Sequence, residues 1–166
     1  MKLFIFLLLG LVYYKSVAAC SCVGESTVEN AVKSADYVVL GKIMSKELVK
    51  LVDSSAIKLF YDEDKDYDHF PYVTYIKKYD MLLEKQFKGR IISDTITIYT
   101  RIGSGDCGIR FQIGETYIVY GQKETYFGGA NNEYPYPQGK RMLWTNSCTR
   151  TQLRNDQEIQ AIEGLK

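Results

Sequence analysis

Cys20-Ser21-Cys22 stands directly behind an apolar stretch that ends Val17-Ala18-Ala19. Cleavage between Ala19 and Cys20 would make a cysteine the first residue. Such a terminus brings together a free α-amine, the adjoining carbonyl oxygen and a sulfur. The amine and the carbonyl can chelate a metal ion, while the sulfur can fasten the terminus to a rigid core. An amine ligates only when neutral, and an ordinary α-amino pKa of about 8 lies close enough to physiological pH for that.

Other chemistry-bearing side chains are sparse. Histidine occurs once, at His69. Ser104 and Ser147 have no histidine at a suggestive spacing, and no Gly-x-Ser-x-Gly elbow is present. Zinc clusters of the Cys-x-x-Cys kind are missing too. Without a nucleophile, a base and a group to orient it, the chain is not expected to be an enzyme or to need a cofactor. The run Asp62-Glu63-Asp64-Lys65-Asp66-Tyr67-Asp68 places acids at alternating positions, like the start of a calcium-binding EF-hand loop. The match then fails, because Tyr67 replaces the turn glycine and Val73 the closing glutamate. A solvated acidic loop is the simpler reading. Tyr126-Phe127 and Tyr134-Pro135-Tyr136-Pro137 are expected to cover one end of the core, since tyrosine packs well with its tip wet.

These residues need a scaffold. Residues 1–19 have the organisation of a secretory signal: Lys2, an apolar core from Leu3 to Val12, then compact residues before the cut. The run is short for a membrane span. Its removal from 166 residues leaves 147, enough for one domain with its own core. The signal takes Lys2 and Lys15 with it, so a net charge of +1 becomes −1. That balance, with no basic stripe, argues against nucleic acid as a partner. All four cysteines, at 20, 22, 107 and 148, lie in the exported part. An even count in an oxidising compartment suggests two disulfides, with three possible connectivities.

Five strands are expected: 35–43, 74–87, 95–100, 115–120 and 141–145. The clearest is Thr95-Ile96-Thr97-Ile98-Tyr99-Thr100, which alternates with period two. Lys88-Gly89 reads as a strand exit, and Gly103-Ser104-Gly105-Asp106 as a turn. A short helix is predicted over Ser26–Ser34, with Ser26 and Glu29 as a capping box. A second is predicted over Asn155–Leu165, with Ile159, Ile162 and Leu165 on one face. The stretch from about Lys46 to Pro71 is expected to be a long loop. Five short strands with one or two flanking helices suggest a mainly β fold, a Greek-key barrel of the OB type.

Several segments together resemble the inhibitory domain of the tissue inhibitors of metalloproteinases, within the wider netrin-module group, in a short single-domain form. They are Cys20-Ser21-Cys22-Val23, the strand Ser34–Ile43, Lys88-Gly89, Gly105-Asp106-Cys107-Gly108, Tyr117–Tyr120, and Asn146-Ser147-Cys148-Thr149-Arg150-Thr151. The likeness spans nearly all of residues 20–166. It implies a five-stranded OB-fold barrel with a disulfide-stapled N-terminus, the pairs being Cys20–Cys107 and Cys22–Cys148. It also implies inhibition of a secreted or membrane-anchored zinc metalloprotease. The Cys20 amine and carbonyl would take the open position on the protease's catalytic zinc, with Ser21 entering the adjacent substrate pocket. Val23 and the loop Ser104-Gly105-Asp106 would flank the cleft. The chain departs from the family pattern in several ways. A third disulfide is missing, Gly24-Glu25 replaces the usual prolines, Asp106 replaces an apolar residue, and no C-terminal domain follows.

The same residues admit another reading. Val17-Ala18-Ala19-Cys20 also resembles a bacterial lipobox. Lipidation of Cys20 would make the chain an envelope-anchored binding module, membrane-associated through that lipid, and would leave one of the remaining three thiols unpaired.

Overall fold

The computed structural model describes residues 22, 27–53, 73–103, 105–125 and 136–165. Cys20, Ser21, Val23, Ser104, the acidic run 62–68 and His69 therefore lie outside the described residues, as does the cleavage region.

Helix α1 (Val28–Ser34) is followed by β1 (Tyr37–Val52), β2 (Val73–Lys88), β3 (Thr95–Arg101), β4 (Thr116–Gly121), β5 (Met142–Trp144), β6 (Gln152–Leu153) and helix α2 (Asp156–Glu163). The six strands form one mixed sheet in the order β5-β3-β2-β1-β4-β6. Only the β3–β5 pair is parallel. The five expected strands are all present, and β6 adds a short sixth that pairs Tyr117 with Leu153. The sheet is not closed. Its edge strand β5 meets the residue after β4 at a bridge, where Gln122 and Trp144 exchange backbone hydrogen bonds of 2.9 and 2.8 Å.

Strand β1 is longer than expected. It runs on to Val52, so the connection to β2 is shorter than a loop from 46 to 71. The cause lies across the hairpin, where β2 supplies a partner for every residue from Ser45 to Val52. Exposed lysines and glutamates made Lys46–Lys50 look loop-like, but backbone pairing needs no apolar side chains. Register shifts at Val38/Val39, Leu40/Gly41 and Ile43/Ser45 bend the strand. At Gly41 the strands close up: a built Cβ would stand 2.6 Å from Met81 Cγ, so any side chain there is excluded.

Apolar residues fill both faces of the central strands. Val39, Ile43, Tyr79, Met81, Ile96, Ile98, Val119 and Leu143 meet on one face, with Phe111 and Tyr117. Val38, Leu40, Ile118 and Tyr120 face the other way, against Ala31 and Ala35 of the α1 segment and Ile162 of α2. Burial on both faces explains the unbroken runs Val38-Val39-Leu40 and Ile118-Val119-Tyr120. A third group sets Leu51, Ile76 and Met142 around fully buried Trp144, whose ring stacks on Tyr99 and meets Tyr136 edge-on. Tyr136 does cover the core in this way, while Tyr126, Phe127, Tyr134 and Pro135 lie outside the described residues.

The helix boundaries differ slightly from expectation. Thr27 caps α1, its side chain accepting from the Asn30 N–H at 3.2 Å. Threonine has the same hydroxyl as the expected cap Ser26, which lies outside the described residues. Helix α2 is capped by Asn155, which accepts from the Gln157 and Glu158 N–H groups. Ile162 is buried as expected, but Leu165 lies beyond the helix end and is exposed.

Candidate functional site

Glycine and aspartate build the turn after β3. Gly103 and Gly105 have φ of 77° and 98°, values that suit residues without a Cβ. Cys107 also has a left-handed φ, 60°. A non-glycine residue there costs about 1 kcal/mol or more and needs surroundings that enforce it. Asp106 supplies much of that enforcement. Its carboxylate accepts from the backbone N–H groups of Ile102 at 3.0 Å, Gly103 at 2.7 Å and Gly108 at 3.2 Å. Burial alone would raise this carboxyl's pKa, but the converging N–H donors outweigh it and hold the group below the usual carboxylate range. Asp106 is thus engaged with its own loop. From below, Lys77 donates its ammonium to the Ile102 carbonyl.

The corner after β5 forms around threonine and asparagine. Thr145 Oγ1 donates to the Tyr120 carbonyl at 2.9 Å and lies 3.0 Å from the hydroxyls of both Thr149 and Thr151. Asn146 Oδ1 accepts from the Cys148 N–H at 2.8 Å. Behind the corner, Glu158 is only 6% exposed. It accepts from Arg150 Nε at 2.8 Å, Arg150 Nη2 at 2.6 Å and the Tyr120 hydroxyl at 2.7 Å. The Arg150 guanidinium holds the Glu158 carboxyl below its ordinary pKa. Burial, then the neighbouring carboxylate, push the Tyr120 hydroxyl far up.

These two segments meet. The Ser147 N–H donates to the Cys107 carbonyl at 2.8 Å, joining the corner to the turn after β3. Cys22 is disulfide-bonded to Cys148, with Cα atoms 5.2 Å apart across 126 residues of sequence. Cys107 is disulfide-bonded as well. Three of the four cysteines therefore gather at one end of the sheet, beside Gly105 and Asp106. Chain separation hid this from the sequence, in which the segments lie far apart.

Of the residues expected to form the site, Cys22, Gly105 and Asp106 are described and lie together. Cys20, Ser21, Val23 and Ser104 lie outside the described residues, so the Cys20–Cys107 pairing and the terminal amine belong to the proposal below. The reading of the sequence missed two roles. Asp106 is a loop organiser, a role signalled by an aspartate between glycines, which commonly hydrogen-bonds nearby backbone. Glu158 anchors the corner through Arg150; nothing in the local pattern of α2 sets it apart from Glu163 on the same helix. A cavity of about 330 Å³ opens beside the disulfide between α1 and the corner, lined in part by Ala31, Ala35, Gln122, Asn146 and Arg150. Among the described residues no cluster of histidine, cysteine, aspartate or glutamate could hold a metal ion. No helix among them is long and apolar enough to cross a membrane.

The sequence matches no protein-family model and no curated protein.

Proposed function

We propose that the chain inhibits zinc metalloproteases through its processed N-terminus, and that its sheet is an OB-type barrel in which the Gln122–Trp144 bridge takes the place of a full closing ladder. In this reading the Cys20 amine and carbonyl chelate the protease's catalytic zinc and displace its water. Ser21 enters the substrate pocket, while Val23, Ser104, Gly105 and Asp106 border the cleft. The target is a secreted or membrane-anchored enzyme, and the inhibitor performs no chemistry itself.

One observation carries the reading: Cys22, Cys148 and Cys107 converge on one ridge, through the Cys22–Cys148 bridge and the Ser147–Cys107 hydrogen bond. Cys22, two residues after the expected cut, is bonded into that ridge. With Cys22 and Cys148 paired to each other, Cys20 is the natural partner for Cys107. A terminus held in this way would lose little further freedom on binding, which favours affinity. The disulfide on Cys107 also weighs against a lipidated Cys20, which would have no thiol to give.

The deciding experiment compares protein beginning at Cys20 with protein carrying one extra alanine before it, against a panel of zinc metalloproteases. Inhibition should drop by orders of magnitude with the extension. Equal inhibition by the two forms would exclude chelation by the terminus. Intact mass of the native protein tests the lipoprotein reading, because a lipid-sized increment on Cys20 would replace inhibition with anchoring.

A further inference from the structure

The long hairpin carries β1 beyond β4, its second neighbour among the described residues. On one side β1 pairs with β2 from Val38 to Val52, with Met44 as the extra residue at the Ile43/Ser45 shift. On the other, the ladder with β4 covers only Tyr37–Lys42. Ile43 still exchanges backbone hydrogen bonds with Glu115 and Gly114, of 3.0 and 2.8 Å. From Met44 to Val49, no described strand lies on that edge. Met44 and Leu48 are 51% and 57% exposed.

The two faces of this segment differ in charge. Ser45 and Glu47 share a face with Asp80 and Lys78 and are satisfied there, by bonds of 2.8 and 2.9 Å. Lys46 and Leu48 share the other face with Tyr79 and Lys77. Lys46 has no ion-pair partner among the described residues, and Lys77 is committed to the Ile102 carbonyl. Arg110 adds a further cation, its side chain lying across Gly103. Tyr79 and Lys77 are buried, and the Asp106 carboxylate stands near Lys77, so the exposed side chains that this stretch offers a neighbour are Lys46 and Leu48.

We propose that the Met44–Val49 edge accepts an extended strand of a partner protein, in which acidic and apolar side chains alternate opposite Lys46 and Leu48. Main-chain hydrogen bonds would supply affinity, and alternate side chains the selectivity. A second copy of this chain fits poorly. An antiparallel pairing centred on Leu48 sets Lys46 against Lys50, and one centred on Glu47 sets two glutamates face to face. The register shift at Ile43/Ser45 and the edge lysine are devices that discourage unselective pairing, and the same lysine favours an acidic strand. This site is independent of the inhibitor reading, and its test needs no protease.

The probe is a capped seven-residue peptide, Glu-Thr-Val-Thr-Glu-Thr-Val, which alternates glutamate and valine along one face, added to the purified protein. Amide hydrogen exchange at residues 44–49 should slow. Affinity should fall several-fold in Lys46→Glu, an exposed change that leaves the melting curve in place, and again on raising salt from low to about 0.5 M. The same peptide N-methylated at every residue should give no protection, and the peptide with lysine in place of glutamate should not bind. The proposal is overturned if the parent peptide protects none of these amides at millimolar concentration, or if the N-methylated peptide binds equally well, which would mean charge attraction without strand addition. A concentration-dependent dimer that protects residues 44–49 without peptide would overturn it too, by making a second copy the occupant.

Discussion

Asp106 and Glu158 show how single carboxylates set the shape of the cysteine end. Asp106 gathers three backbone N–H groups, so its charge contributes stability that is fully present above the unfolded carboxyl pKa of about 4. That contribution is lost as pH falls through the depressed folded value. Asp106→Asn should therefore lower stability at neutral pH and flatten its acid dependence below about pH 4, as read by urea melts at stepped pH. Glu158 is buried, and Arg150 is about a third exposed. Glu158→Gln should cost about 2 kcal/mol in denaturant unfolding, below the range for fully buried pairs because water still reaches the guanidinium. Tyr79 behaves differently. Its hydroxyl is buried, and among the described residues it has no hydrogen bond of good geometry, the Phe111 backbone only partly offsetting the upward push of burial on its pKa; its ring packs edge-on against Phe111 at 5.0 Å. Tyr79→Phe should leave stability unchanged or raise it slightly, a result that a thermal melt can check.

At the scale of elements, backbone geometry governs. The bend of β1 depends on Gly41, where the β2 backbone and Met81 leave no room for a methyl group. Gly41→Ala should destabilise by about 2 kcal/mol or more in chemical denaturation, since strand backbone must shift rather than a flexible side chain. The existence of the strands was legible because their apolar runs and the alternation in β3 have strand periodicity. Their ends were less so. Lys46 to Lys50 carry little apolar signal, and only the pairing with β2 carries β1 to Val52. Gln152 and Leu153 form β6 because β4 has a free edge beside them, which two residues of sequence do not reveal.

For the molecule as a whole, the Cys22–Cys148 bridge fastens the start of the described chain to the corner between β5 and β6. Closing a loop of 126 residues constrains the unfolded chain strongly, by about 4–5 kcal/mol on the chain-entropy account. Cys22→Ser with Cys148→Ser should lower unfolding free energy by a few kcal/mol while the sheet's far-ultraviolet spectrum persists. Persistence is expected because both cysteines are exposed and neither belongs to the three apolar clusters.

The amino-acid sequence by itself determined the mainly β character, the two helices with their polar caps, the even set of cysteines and the poverty of catalytic groups. Those are local properties, written in periodicity, capping residues and composition. Tertiary structure alone decided that Cys107 and Cys148 share one ridge through the Ser147 amide, that Asp106 serves its own loop, and that β1 outruns β4 to an edge with no further strand among the described residues. Each of these depends on contacts between residues distant along the chain, where pairing and packing, rather than residue type, choose the neighbour.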